Sequence, residues 1–291
     1  MKSFSGMSWK IQPIPERLIQ KKKQDFNISY LLSRIFLQRE FSNDEIHNSL
    51  NKNENINLAY KDHDLIKAAS VLDECIKQNN KILIFGDYDV DGYSSTYLLY
   101  DFISNLKNHC DYYIPDRFKD GHGPNIKLLK KIINNTKYGL VIFVDCASNS
   151  SEEINFLDKM DIKTIIIDHH QIYKQDNYKN TVIINPLKNY SSNEFSYFCA
   201  TTLVYFFIKY LNGIFKEKIK IDYKKYLFFA SIATISDQMP LRNLNRIIVK
   251  EGLNNFNVDK FLNFKKIFNL KKKISSTDVG FNLAPLLNSA S

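Results

Sequence analysis

The sequence predicts an α/β fold: a parallel β-sheet of about five strands with helices on both faces, preceded by an N-terminal helical region and followed by a helical section. Three observations predict it. Short unbroken runs of β-forming apolar residues recur through the middle of the chain, KILIF at 81–85, LVIFV at 140–144 and IKTIII at 162–167. A Gly/Asp-containing loop and then a stretch with helical spacing follow the first of these, and helical stretches separate the others. The runs do not alternate apolar with polar residues, which marks strands buried on both faces by crossover helices.

The elements follow in order. Residues 1–26, with Pro13, Pro15 and the run Lys21–Lys23, read as an irregular arm. Ile28–Arg39 carries Leu31, Leu32, Ile35 and Phe36 at helical spacing, and Ser42–Leu50 makes a second short helix before the polar segment Asn51–Asn57. A long helix is expected over Asp62–Gln78. Strands are then expected at Lys81–Phe85, Asp111–Ile114, Leu140–Val144, Ile162–Ile167 and Thr181–Ile184. Helices fall at Ser94–Leu106, before Ile133, and around Glu152–Leu157. The later helices are placed at Phe198–Leu211, Tyr223–Thr234, Leu241–Glu251 and Val258–Phe268, and the end SSTDVGFNLAPLLNSAS reads as a linker. The domain division is therefore 1–60, an arm with short helices; 61–270, the domain that carries the sheet; and 271–291, the start of an interdomain linker or a truncated tail.

Composition narrows the function classes. With 291 residues, 44% hydrophobic and 24% charged, the chain is neither collagen-like, disordered nor a small disulfide scaffold. Cys75, Cys110, Cys146 and Cys199 are widely spaced and form no CxxC pair, which suits a reducing cytoplasm. No apolar run reaches the length of a membrane span and the N-terminus lacks a signal-peptide core, so no membrane partner is expected. Forty Lys and Arg against 31 Asp and Glu give +9, a balance that favours polyanions.

The chemistry lies at the strand ends. In KILIFGDYDVDGYSS, Asp87, Asp89 and Asp91 follow a buried strand at spacing two, which in an extended segment turns all three the same way. Carboxylates that close repel one another, and a divalent cation such as Mg²⁺ or Mn²⁺ removes the repulsion. Ser94 and Ser95 are expected beside the next helix N-terminus, where amides receive a phosphate. VIFVDCASNS places Asp145 after the third strand, and TIIIDHHQ places Asp168, His169 and His170 after the fourth; parallel strand ends face a common crevice. Asp237, in SIATISDQMPL, ends an apolar helical run. Five or more oxygen donors with one or two imidazoles and no thiolate cluster fit two bridged metal ions rather than one structural zinc. Arg117, Lys119 and His122, in the glycine-bearing loop YIPDRFKDGHGPN, suit a phosphate-binding loop, the alternative being an ordinary exposed crossover loop. Cys146 is read as an inert buried thiol, since no Cys–His pairing follows from the spacing.

The four ordered pieces GDYDVDG, VDCASNS, IDHHQ and ATISDQMPL resemble the motifs of the DHH phosphoesterase superfamily, and within it the RecJ group of single-strand-specific exonucleases. The likeness extends from about Leu50 to the C-terminus through YIPDRFKDGHG, INPLKN, NRIIVKEGL and FNLAPLLNSA. It implies a parallel-sheet catalytic domain with two Mn²⁺ or Mg²⁺ ions. By motif, Asp89, Asp91, Asp145, His169 and Asp237 would bind metal, with Asp145 bridging. Asp87, Asp168 and His170 would act at the catalytic centre. Ser94, Ser95, Arg117 and His122 would face the substrate phosphate.

The implied activity is metal-dependent hydrolysis of single-stranded DNA, 5′ to 3′, releasing mononucleotides through metal-activated water. The alternatives are a phosphodiesterase for short oligonucleotides or cyclic dinucleotides, and a catalytically weak DNA-associated scaffold or half of a split enzyme. Three positions depart from the family pattern: Phe85 stands where many members have a histidine, Ala147 where a glycine is common, and His122 where an aromatic often lies between the two glycines. Members also continue into a second domain that closes over the substrate, so a separate polypeptide supplying that domain is an expected partner.

Overall fold

The structure, a computed structural model, describes residues 5–8, 10, 12–50, 63–173, 177–188, 195–215, 219–256 and 273–289. The chain divides into two compact units, Met1–Ile56 and Asn57–Ser291.

The first unit is helical: α1 (Glu16–Phe26), α2 (Tyr30–Gln38) and α3 (Asn43–Leu50). The arm expected over residues 1–26 is thus corrected from Glu16 onward. Pro15 sits at the N-cap, where a missing N–H costs nothing, so it starts the helix rather than preventing it. Ile19 is buried while Lys21 and Lys23 stay in solvent. Ser29 caps α2 through a bond from the Leu32 amide. Ser42 and Glu45 exchange bonds at the start of α3 as a capping box. Residues 51–62, including the polar segment Asn51–Asn57, lie outside the described residues.

The second unit holds a five-stranded parallel sheet in the order β2-β1-β3-β4-β5. Its strands are β1 (Ile82–Phe85), β2 (Cys110–Tyr113), β3 (Leu140–Val144), β4 (Lys163–Ile167) and β5 (Thr181–Ile184). Every residue of β1 and β3 is buried, which explains their unbroken apolar runs. Leu83 and Phe85 pair in register with Val141 and Phe143, and Phe143 with Ile166. These side chains form one face of the core with Leu128, Leu129 and Ile133 of α6 (Ile126–Asn134) and Ile154 and Leu157 of α7 (Ser151–Lys159). The alternate residues, Ile82, Ile84 and Ile142, turn to the opposite face. There α4 (His63–Lys77), α5 (Val90–Asn105) and α8 (Ala200–Ile214) pack on the sheet. Beyond them, α9 (Tyr223–Ser236) and α10 (Asn243–Asn254) extend the helical layer.

Two features go beyond the sequence reading. Within the tail, Ser276–Asp278, a π-helical turn Val279–Leu283 and Ala284–Ser289 form a helical segment opened by a Ser275–Asp278 capping box, with Val279 and Leu283 fully buried. Its apolar spacing was obscured by Gly280 and Pro285. The first crossover helix also begins at Val90, not Ser94, because Asp89 is its N-cap. The helix expected over Val258–Phe268 lies outside the described residues.

Candidate metal centre

The strand order reverses between β1 and β3. Chain leaving β1 turns one way and chain leaving β3 the other, which opens a crevice at their carboxyl ends. The loops after β1, β3 and β4 all emerge there. Asp145 extends β3 by one residue, its amide donating to Ile167 O at 3.0 Å, and the Asp168 amide bonds Ile184 O at 3.1 Å. Both aspartates are therefore held at fixed height by the sheet ladder.

The β1–α5 turn is tight. A Cβ on Gly92 would lie 2.3 Å from Asp87 O, so only glycine lets the helix start this close to the loop. Asp89 accepts from the Gly92 amide at 3.0 Å. Asp91 falls in the first turn and is buried. One of its oxygens takes the Ala200 amide at 2.7 Å and the other the Thr201 amide at 2.8 Å, both at the N-terminus of α8. The expectation that Asp87, Asp89 and Asp91 all face one way is corrected here, since helix replaces extended chain after Asp89. Asp87 and Asp89 converge with Asp145, whereas Asp91 converges with His169 and Asp237.

A second imidazole completes the set, with Asp145, His169 and His170 making a third group whose donor atoms, as in the other two, lie within 4.8 Å of one another. His169 Nε2 sits 3.2 Å from Asp145 Oδ1, 3.4 Å from Asp237 Oδ2 and 3.6 Å from Asp91 Oδ2. Asp237 arrives as the C-cap of α9. Asp145 shares two groups and His169 shares two, so the clusters are contiguous.

Asp168 does different work. Its Oδ1 accepts from the His169 and His170 amides and faces His170 Nδ1 at 2.7 Å, while its Oδ2 accepts from the Ser148 amide at 3.1 Å. The carboxylate is fully engaged in shaping the DHH turn. Burial opposes its charge, but the bond to His170 and the Ser148 amide outweigh burial and hold its pKa well below the usual range. The bond to Asp168 in turn raises His170 to about 9.

The remaining carboxylates show the opposite electrostatics. Burial, then Asp91 and Asp89, push Asp145 well above the ordinary carboxylate range. Burial raises Asp87, and burial with Asp91 beside it raises Asp237 to about 6. Asp145 Oδ1 and Asp87 Oδ1 are buried without a hydrogen-bond partner. Concentrated negative charge, buried oxygens that make no hydrogen bond and hard O/N donors fit divalent cations. Asp145 and Ala147 lie at φ +61° and +77°, left-handed conformations that a side chain adopts at a cost of about 1–2 kcal/mol each.

Other sequence-expected residues are placed as follows. His122 reaches the centre, its Nδ1 3.1 Å from Asp87 Oδ2. Arg117 is exposed and lies 5.3 Å from the Tyr88 ring centroid. Ser94 and Ser95 are not brought to the crevice mouth, a correction that follows from the earlier start of α5. Both are buried, and the Ser95 hydroxyl donates to Asp91 O at 2.7 Å within its own helix. Phe85 fills its position with apolar packing against Tyr113 and Phe143. Cys146 is buried with its thiol pushed far up by burial, then by Asp168. Sequence reasoning missed Asn185, buried after β5, whose amide donates to Ser148 Oγ at 3.1 Å and His170 O at 2.9 Å and so ties two site loops together. The signal was there in INP, an Asn–Pro pair directly after an apolar strand.

The family model "DHH family, N-terminal domain" matches residues 81–232. The chain belongs to the DHH family. Among curated relatives of this DHH domain, the single-stranded-DNA-specific exonuclease RecJ of Bacillus subtilis (strain 168) is 28% identical over 297 residues, covering 98% of this chain and 36% of that protein. The enzyme of the same name from Haemophilus influenzae is 28% identical over 275 residues, covering 89% of this chain and 47% of that protein. The DHH chain thus spans less than half the length of these two relatives. Its fold is that of RecJ structures. The exonuclease RecJ bound to manganese superposes with a TM-score of 0.69 at 24% identity, over 80% of this chain and 59% of that one. RecJ from Thermus thermophilus in complex with Mn²⁺ superposes at 0.71 and 19% identity, over 94% of this chain and 39% of that one.

Proposed function

We propose that this DHH chain carries the catalytic centre of a metal-dependent exonuclease acting on single-stranded DNA, in the 5′ to 3′ direction, with mononucleotide products and two Mn²⁺ or Mg²⁺ ions as cofactors. The observation that carries the reading is Asp145, shared by two groups of possible metal-holding residues and buried with an oxygen that no hydrogen bond satisfies. The relatives' names supply the substrate class.

In this reading Asp87, Asp89 and Asp145 would hold one ion and Asp91, His169 and Asp237 the other. The ions, when bound, supply activated water and charge neutralisation at phosphorus. The chain's own groups do the rest. The bond to Asp168 favours the protonated form of half-exposed His170, whose remaining N–H would face a phosphoryl oxygen. Arg117, steadied on Tyr88, offers a planar donor fork to a neighbouring phosphate. The +9 charge draws the strand in from a distance.

The test is to incubate the chain with Mn²⁺ and end-labelled long single strands, duplex, dinucleotides and cyclic dinucleotides. Release of 5′ mononucleotides from long single strands supports the proposal. A preference for dinucleotides or cyclic dinucleotides replaces it with a short-substrate phosphodiesterase. Binding without turnover, unaltered by Asp145→Ala, replaces it with a DNA-associated scaffold.

A further inference from the structure

His122 approaches the metal centre from outside it. Its imidazole is mostly exposed, 61% for the side chain, yet Nδ1 lies 3.1 Å from the Oδ2 of Asp87, a carboxylate that is only 4% exposed. The two oxygens of Asp87 differ sharply. Oδ2 meets His122, whereas Oδ1 is buried with no hydrogen-bond partner, on the residue that converges with Asp89 and Asp145. The loop around His122 is built to deliver that contact. Gly121 and Gly123 adopt φ +82° and +69°, the left-handed region that favours glycine, so the backbone turns on both sides of the exposed histidine. The loop's base is fixed separately. Asp120 Oδ2 accepts from the Tyr113 hydroxyl at 2.9 Å and the Asp116 amide at 3.0 Å. The imidazole is set edge-on to Tyr88, with centroids 5.8 Å apart, on the ring that Arg117 also covers.

We propose that His122 is a positioning residue for the metal centre: its Nδ1–H holds Oδ2 of Asp87 so that Oδ1 is presented to the ion shared with Asp89 and Asp145. The inference rests on the two-ion reading and goes beyond it, because it moves His122 from the substrate phosphate to the support of a ligating carboxylate. Partners that orient a ligand in this way govern metal affinity by about 10- to 100-fold. The role needs a donor N–H at this position. An aromatic ring of similar shape packs against Tyr88 but leaves Oδ2 unheld.

Mn²⁺ titration calorimetry on the full chain, without DNA, tests this with the wild type, His122→Ala, His122→Asn, His122→Phe and Asp145→Asn. The expected result is about a tenfold or greater loss of Mn²⁺ affinity in His122→Ala and His122→Phe, with a substantial part regained in His122→Asn, whose amide donates over a similar reach. In cleavage assays, raising Mn²⁺ should restore kcat to the alanine variant without changing KM for DNA. Wild-type Mn²⁺ affinity in both His122→Ala and His122→Phe overturns the inference, and a raised KM alone would return the residue to a phosphate contact. A wild type that binds no Mn²⁺, or an Asp145→Asn variant that binds it undiminished, sinks the two-ion reading and this inference with it. Circular dichroism of each variant shows whether the fold is retained, and His122, being exposed, is not needed for the core.

Discussion

In the proposed reading, Asp145 brings stability and metal binding into opposition at a single side chain. In the absence of metal it is a buried carboxylate among Asp89, Asp91, Asp168 and Asp237, with its pKa forced upward. Asp145→Asn removes that repulsion, so its thermal midpoint in chelator should exceed the wild type's. The same change should abolish the Mn²⁺-induced rise in midpoint and lower cleavage by at least about 100-fold, the scale of losing one transition-state electrostatic group. Scanning calorimetry with and without Mn²⁺ reads both signs. Two residues on, Ala147 occupies a left-handed conformation at φ +77°. Ala147→Gly should stabilise the chain by about 1 kcal/mol in urea denaturation, the strain relief exceeding the added freedom of the unfolded glycine. The pH dependence is also set at this scale. Asp237 titrates at about 6 in the folded chain against 3.8 for the ordinary group, so it favours the metal-free fold below pH 4 and loses that contribution as pH rises through about 6. An ion must displace the proton, so Mn²⁺ affinity should fall as pH drops through about 6, with protons released on binding. Calorimetry in buffers of different ionisation enthalpy measures that release.

At the scale of elements, the site depends on helix ends as much as on strand ends. Asp91 satisfies two amides at the start of α8, and its removal leaves them buried and unpaired. Asp91→Ala should therefore destabilise the metal-free chain by about 1–3 kcal/mol, opposite in sign to Asp145→Asn. The strands and their terminal acids were legible because unbroken apolar runs followed by Asp read the same way in any parallel sheet. The helix starts were less legible. GDYDVDG looks extended until Asp89 is recognised as a cap, and that one residue decides whether Ser94 and Ser95 lie at the mouth or within the helix. Likewise α1 was hidden by prolines that precede it, and the Ser276–Ser289 segment by Gly280 and Pro285 within it. Partnerships between distant residues, such as Asn185 with Ser148 and His122 with Asp87, have no spacing signature at all.

At the scale of the whole molecule, the groups able to hold ions among the described residues come from Asp87 to Asp237, all within the unit Asn57–Ser291. A chain starting at Asn57 should bind Mn²⁺ with the affinity of the full chain, measured by the same titration; a large loss would assign the first unit a part in the centre. Among the described residues, no helix is long and apolar enough to cross a membrane. The burial of β1 and β3 on both faces confines change to the loops at one sheet edge, which is where the family's departures in this chain, Ala147 and His122, both fall. The third, Phe85, has been absorbed into the core instead.

The proposed reading gives Asp91 a double duty, holding metal and anchoring α8, and this bears on how such a protein could change over generations. An acid that only served chemistry would drift freely once the chemistry was no longer selected. This one also anchors a helix, so its loss is penalised in every descendant, active or not. A lineage that gave up hydrolysis would shed Asp145 early and keep Asp91 long afterwards, and an aspartate surviving alone at that position would be a relic of architecture rather than a sign of catalysis.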